Sequence, residues 1–240
     1  MVKIETLVLF VQKNNTLNTH TDVIVSGKRL RIIFFPENIK GIALISYKFR
    51  IRKLIKNCCF FATPFAAKFK GTKIRKSGYS LVIAHITSVL KMISPKNDIV
   101  IFSVNPDDIN LLPDVLMSFK NISFVTTPTA SEVFSEKLLC DFGITGATKC
   151  SADVSDKTVL IMPGGEIFPP EGASSVINLS KSETEYKNIS PENISFRSPE
   201  EFDCVSHFIR RADVMETVLS FFDMDFSVPA PVSVNFNKQN

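Results

Sequence analysis

The side chains best suited to chemistry fall in three short stretches, Ser103 to Asp107, Thr126 to Thr129 and Pro163 to Glu166, each following an apolar run. Hydroxyl and amide groups on Ser103, Asn105, Thr126, Thr127 and Thr129 could hold an anionic small molecule. Gly164 and Gly165 would let the backbone come close to it. A dinucleotide demands more. Its pyrophosphate needs glycines in the first stretch and the free amides of the helix that follows. Asp107 and Asp108 stand in that first turn instead, where they satisfy the helix dipole and repel a phosphate.

Other chemistries have less to work with. The sequence has no G-x-S-x-G elbow, no P-loop and no H-E-x-x-H. His20, His85 and His207 are each isolated from a nucleophile, and the apolar neighbours of His85 make it a packed core histidine. Cys58, Cys59, Cys140, Cys150 and Cys204 form an odd set without C-x-x-C or zinc-ligand spacing, so they read as reduced, buried thiols and no metal site is expected.

The elements that must position the three stretches follow from the pattern of apolar residues. Asp98 to Val104, Asn121 to Thr126 and Thr158 to Met162 are near-continuous apolar runs of strand length, and Ser175 to Leu179 could add a fourth. Asn105 caps a helix with Pro106 in its first position, and a second helix runs from Pro128 to Phe142, with Thr129 and Glu132 as a capping box. The result is βαβαβ with right-handed crossovers, a parallel sheet covered by helices on both faces. In such sheets ligands collect beyond the carboxyl ends of the strands, which is where the three stretches lie.

Upstream, Asp22 to Val25 and Arg29 to Phe35 flank Ser26-Gly27-Lys28 as a hairpin, and Gly41 to Tyr47 and Cys58 to Ala62 read as further strands. Tyr79 to Ile93 is apolar on nearly every face and is stopped by Pro95, as in a buried helix. Lys181 to Asn193 reads as a polar linker. Ser198-Pro199-Glu200-Glu201 opens an amphipathic helix through Phe222, and Ser227 to Asn240 is an extended tail. The fold class is therefore α/β, a Rossmann-like parallel sheet in the C-terminal half with a smaller basic, β-rich N-terminal domain. The expected boundaries are 1–94, 95–185 and 186–240.

Charge divides the chain. From Asn38 to Asn97 there are thirteen Lys and Arg and no carboxylate, while the rest holds fifteen basic against twenty-four acidic side chains. The cations must face water or a partner. The run Leu7 to Val11 lacks the flanks of a signal peptide, and no run approaches the roughly 18 residues of a membrane span, so a cytoplasmic protein is expected.

The run Ile122 to Thr129, the helix ending Leu138-Leu139-Cys140-Asp141-Phe142-Gly143 and the strand Thr158 to Met162 resemble the NADP-binding domain of shikimate dehydrogenases, over residues 98–180. Thr63-Pro64-Phe65-Ala66-Ala67-Lys68 is similar to that family's threonine, proline and catalytic lysine. The resemblance implies a related architecture rather than an inherited activity, and leaves NADP as the alternative to a chain with no cofactor. Three departures bear on activity: the glycine loop is missing, Thr127 or Pro128 stands where the family places a phosphate-reading arginine, and Phe69 to Asn97 holds no partner aspartate.

Three functions remain open at this level. The first is a non-catalytic ligand-sensing or protein-interaction module with a degenerate nucleotide site and no cofactor. The second is an NADP-dependent oxidoreductase gripping its cofactor through Thr126, Thr127 and the basic half. The third is a binder of nucleic acid or anionic surfaces through the basic half. Whether the chain is an enzyme is left open, as is assembly into a homo-oligomer.

Overall fold

The computed structural model describes residues 4–13, 20–35, 42–56, 58, 60–62, 72–74, 76–94, 98–164, 172–180 and 188–235. Two compact units share the chain, and each is assembled from two separate stretches. One comprises 1–78 and 198–229, the other 79–197 and 230–240.

The first unit is built on a mixed sheet. Strand β1 (Thr6–Gln12) is buried from Thr6 to Phe10 because neighbours cover it on both sides and layers cover it on both faces. It pairs in parallel with β3 (Lys28–Phe35) and with the short β4 (Phe60–Phe61), while β2 (His20–Val25) lies antiparallel on β3. With β5 (Thr72–Lys73) the order is β2-β3-β1-β4-β5. The expected hairpin is present. Ser26 and Gly27 take φ of 49° and 78°, the pair of left-handed residues that a two-residue turn between twisted strands requires.

Gly41 to Tyr47, expected as a strand, is corrected: Ile42–Ile55 forms helix α1, and Gly41 itself lies outside the described residues. Tyr47, Ile51, Leu54 and Ile55 recur at helical spacing and pack on Val8, Phe10 and Ile33, so burial of that stripe outweighs the local β propensity. The expected strand Cys58 to Ala62 shrinks to β4. Phe34 points to the other face and meets Phe208 with ring centroids 5.1 Å apart.

The C-terminal helix is broken. It starts as a 3-10 turn at Glu200–Val205, continues as α6 (Ser206–Ile209) and resumes as α7 (Ala212–Phe222). The capping box expected at Ser198 does not form: its buried Oγ has no hydrogen-bond partner, and Pro199 occupies the cap position.

The second unit opens with α2 (Tyr79–Ala84) and α3 (Ile86–Ile93). The single helix expected there is interrupted at His85, whose φ and ψ of −120° and 15° are not helical. Six parallel strands follow: β6 (Asp98–Phe102), β7 (Asn121–Val125), β8 (Thr148–Lys149), β9 (Thr158–Ile161), β10 (Ser175–Asn178) and β11 (Asn188–Ile189). Their order is β11-β10-β9-β6-β7-β8, so the winding reverses between β6 and β9. This is a mixed α/β architecture whose parallel sheet is compatible with a Rossmann-like fold. The segment expected as a linker supplies β11, and its residues 181–187 lie outside the described residues.

The crossovers are lighter than the pair of helices expected after Asn105 and from Pro128. Between β6 and β7 a 3-10 turn (Pro106–Leu111) leads into α4 (Pro113–Ser118), because Pro113 restarts the helix after Leu112. Only α5 (Pro128–Phe142) has the expected length and ends, closed by Gly143 at φ 68°. Ile144 N donates to Leu138 O and Gly143 N to Leu139 O, the bonding that lets a left-handed glycine end a helix. Phe134 of α5 is fully buried against Phe124 of β7.

Helices on both faces are not what covers this sheet among the described residues. Val100, Phe102, Val125, Val159, Ile161 and Val176 form one apolar face, and Val154 with Ala152 and Ala173 packs on it from extended chain. Strand β12 (Ile194–Phe196) pairs antiparallel with β13 (Pro231–Val234), which gives part of the expected tail a place.

Candidate functional site

Residues 103–108, 126–129 and 163–164 leave the sheet at its carboxyl end, on both sides of the reversal. Register places Ser103 beside Thr126, since Phe102 pairs with Val125 and Ser103 N donates to Val125 O at 3.1 Å. Side chains alternate along a strand, so Ser103 and Thr126 share the face of Ile101 and Phe124, which α5 covers. Gly164 comes close to the same place. A Cβ built on it would meet Val104 Cγ2 at 3.6 Å, ordinary contact, so its φ of 79° rather than lack of space is what favours glycine there.

Ser103 is buried and its Oγ donates to Asp108 Oδ2 at 2.5 Å while accepting from Asn105 N at 3.2 Å. Asp108 is only 6% exposed. Burial raises its carboxyl above the usual aspartate range, the Ser103 bond pulls it back in part, and the charge of Asp107 raises it further. Tyr79, at the start of α2, is coupled to the same carboxylate. Burial and then the negative charge of Asp108 push its hydroxyl up to about 12.

Asn105 is exposed and serves as the expected cap, its Oδ1 accepting from Asp107 N at 3.2 Å. Asp107 faces solvent and is bridged by Lys137 of α5 at 2.9 Å. The two acidic residues of that first turn therefore have different fates, one solvated and paired, the other buried against a serine.

The second loop departs from the expected capping box. The helix begins at the expected Pro128, so its cap residue is Thr127, two positions before Thr129; it makes no side-chain cap bond, and Thr127 Oγ1 lies 3.1 Å from Thr129 Oγ1. Thr126 is 6% exposed, and its Oγ1 has no hydrogen-bond partner. Gly165 and the run Thr63 to Lys68 lie outside the described residues.

The structure thus brings Ser103, Thr126 and Gly164 to one end of the sheet, with Asn105, Thr127 and Thr129 at its rim. Sequence reasoning missed Tyr79, whose hydroxyl feels the charge of Asp108 from a helix that precedes the sheet, and the burial of Asp108. The apolar residues Ile109 and Leu112 beside Asp108 were the available signal for the latter.

Elsewhere, a groove of about 270 Å³ runs between the His85 break and the turn leading into α4, lined by His85, Thr87, Ser88, Asn110 and Asp114 among others. His85 packs on Phe196 with centroids 5.5 Å apart and ring planes tilted by 59°, and is half-buried. The buried thiols expected from sequence are corrected at three positions: Cys140, Cys150 and Cys204 are exposed. Cys59 lies outside the described residues. Among the described residues no helix is long and apolar enough to cross a membrane.

Comparison with protein-family models, with curated proteins and with solved structures returns no match for this chain.

Proposed function

We propose that the second unit is a Rossmann-like domain whose phosphate cradle is filled by its own side chains, and that it works as a non-catalytic ligand-sensing or protein-interaction module. The observation that carries this reading is the 2.5 Å bond from Ser103 to the buried Asp108 at the first loop after the first strand. Backbone amides and a helix N-terminus would face a dinucleotide's phosphates at that place in a nucleotide-binding sheet. Here a carboxylate under low-dielectric cover repels a second anion more strongly than it would in water.

The resemblance to shikimate dehydrogenases supports a shared architecture for this unit. The alternative of an NADP-dependent oxidoreductase would have to place a 2′-phosphate near Thr126 and Thr127, where Lys149, whose carbonyl accepts from Thr126 N at 3.1 Å, is the neighbouring cation on the adjacent strand. Thermal shift and calorimetry with NAD and NADP at millimolar concentration test the proposal. No rise in melting temperature and no heat are expected. Stabilisation approaching about 2.7 kcal/mol, as for a ligand at one hundred times its dissociation constant, would remove it.

A further inference from the structure

Helix α1 has a face that the fold of its unit does not use. Its inward stripe, Tyr47, Ile51, Leu54 and Ile55, is spent on the sheet. At about 100° per residue, the opposite side is centred on Phe49 and carries Ile45, Arg52, Lys53 and Lys56, with Lys48 and Arg50 at its margins. Ile45 is 68% exposed and Phe49 72%. The five cations from Lys48 to Lys56 are all exposed, the helix holds no acidic residue, and none of them forms an ion pair among the described residues.

Two bulky apolar side chains one turn apart, standing in water within a field of unpaired cations, are an unusual surface for a folded domain. Arg52 and Lys53 complement the dipole at the helix C-terminus, which accounts for those two charges but not for Lys48, Arg50 or the exposed phenylalanine. We propose that the outward face of α1 docks the protein on an anionic phospholipid bilayer, with Ile45 and Phe49 entering the boundary between headgroups and acyl chains. Lys48, Arg50, Arg52, Lys53 and Lys56 then sit at the headgroup phosphates.

Charge complementarity selects an anionic surface, and the apolar pair selects a bilayer over nucleic acid. Phosphates of a duplex would satisfy the cations equally well. However, a helix that reads a groove presents polar side chains to base edges at its centre, and a single-strand platform presents several aromatic faces. A branched aliphatic beside one phenylalanine does neither, whereas an interfacial helix uses both by burying them. Stems of Lys and Arg are long enough to keep their charges at the headgroups while the helix axis lies in the surface plane.

Flotation of the whole protein with vesicles of phosphatidylcholine, alone or mixed with phosphatidylserine, tests this. Binding is expected to the mixed vesicles and not to phosphatidylcholine alone. The double variant Ile45→Ser/Phe49→Ser should bind them at least tenfold more weakly. The triple variant Arg52→Ser/Lys53→Ser/Lys56→Ser should lose on the order of a hundredfold, about fivefold for each cation near the anionic surface. All five substitutions are at exposed positions, so unchanged circular dichroism and melting temperature would show that the fold is intact. No flotation with mixed vesicles at low salt overturns the proposal. So does equal flotation of the wild type and the Ile45→Ser/Phe49→Ser variant. Retention of single-stranded DNA by the wild type, with no vesicle binding, would reassign the face to nucleic acid and overturn it as well.

Discussion

Replacing Ser103 with alanine tests the contact on which the filled-cradle reading rests. The hydroxyl makes bonds that alanine cannot, chiefly a 2.5 Å donation to the buried Asp108 carboxylate, with a longer 3.2 Å approach to Asn105 O, and a 3.2 Å acceptance from Asn105 N. A hydrogen bond to a charged group contributes about 1.5–3 kcal/mol, and the neutral amide bond about 1 kcal/mol more. The two parts respond differently to pH. Asp108 has its folded-state carboxyl raised above the ordinary 3.8, so its contribution to stability is complete below that value and is lost as pH rises through the folded one. Removing the donor raises the folded value further. The Ser103→Ala deficit should therefore be largest at pH 7, about 2.5–4 kcal/mol, and should shrink toward about 1 kcal/mol as acid protonates Asp108. Urea unfolding followed by circular dichroism reads it as a midpoint lowered by on the order of 1 M, given a slope of about 1–3 kcal/mol per molar. In an Asp108→Asn background the acid-sensitive part should vanish. A deficit below about 0.5 kcal/mol at pH 7, or one equally large at pH 4, would refute the reasoning, because a buried carboxylate deprived of its donor cannot be indifferent to its own protonation.

Three further outcomes follow from the same geometry. Arg31 holds Asp22 through bonds of 2.7 and 2.6 Å and donates to Leu54 O at 2.7 Å. Although burial alone would raise the Asp22 carboxyl, the hydrogen bond and charge of Arg31 hold it below its ordinary value. That contribution is present above pH 3.8 and lost as pH falls through the folded value. Arg31→Ala should therefore destabilise by about 1–3 kcal/mol at pH 7 in chemical unfolding, with the gap to wild type closing in acid. Phe134→Ala should remove about 3–5 kcal/mol by emptying the space beside Phe124, and an unfolding midpoint within error of wild type would contradict the packing described. Burial pushes the hydroxyls of Tyr47 and Tyr79 up to about 12. In a Tyr186→Phe variant, absorbance at alkaline pH should show almost no phenolate by pH 10.5, and full ionisation there would count against both placements.

Punctuation made some elements legible in the sequence. Pro128 and Gly143 bracket α5 at the residues where the structure starts and stops it, and Ser26-Gly27 supplied the only cheap left-handed pair between two β-rich runs. Helix α1 was misread for a physical reason. Ile45 and Phe49 lie opposite the buried stripe, so apolar residues occur on both sides and the helical period is blurred. The break at His85 carries neither proline nor glycine, and nothing in the local sequence marks it. At the site, strand ends placed Ser103, Thr126 and Gly164 correctly because the carboxyl edge of a parallel sheet follows from strand order. The sequence puts Asp108 in the first turn as a charge that satisfies the helix dipole, but the turn tightens into a 3-10 helix that brings it back over Ser103. Tyr79 could not be found locally, since only the tertiary fold puts residue 79 within the field of residue 108.

The interleaving of the two units constrains how this polypeptide emerges during translation. When the ribosome has released residues 1–78, the sheet face bearing Leu30, Ile32 and Phe34 still awaits Phe208 and the rest of 198–229, and it stays wet until that second stretch has been made. The later unit is also unfinished at Arg197, for its β12 finds β13 only after the chain returns at Ala230, whose carbonyl accepts from Arg197 N at 2.8 Å. A nascent chain of this design closes neither unit before residues 198–234 have followed, and one halted at residue 197 leaves two open surfaces for a chaperone to hold.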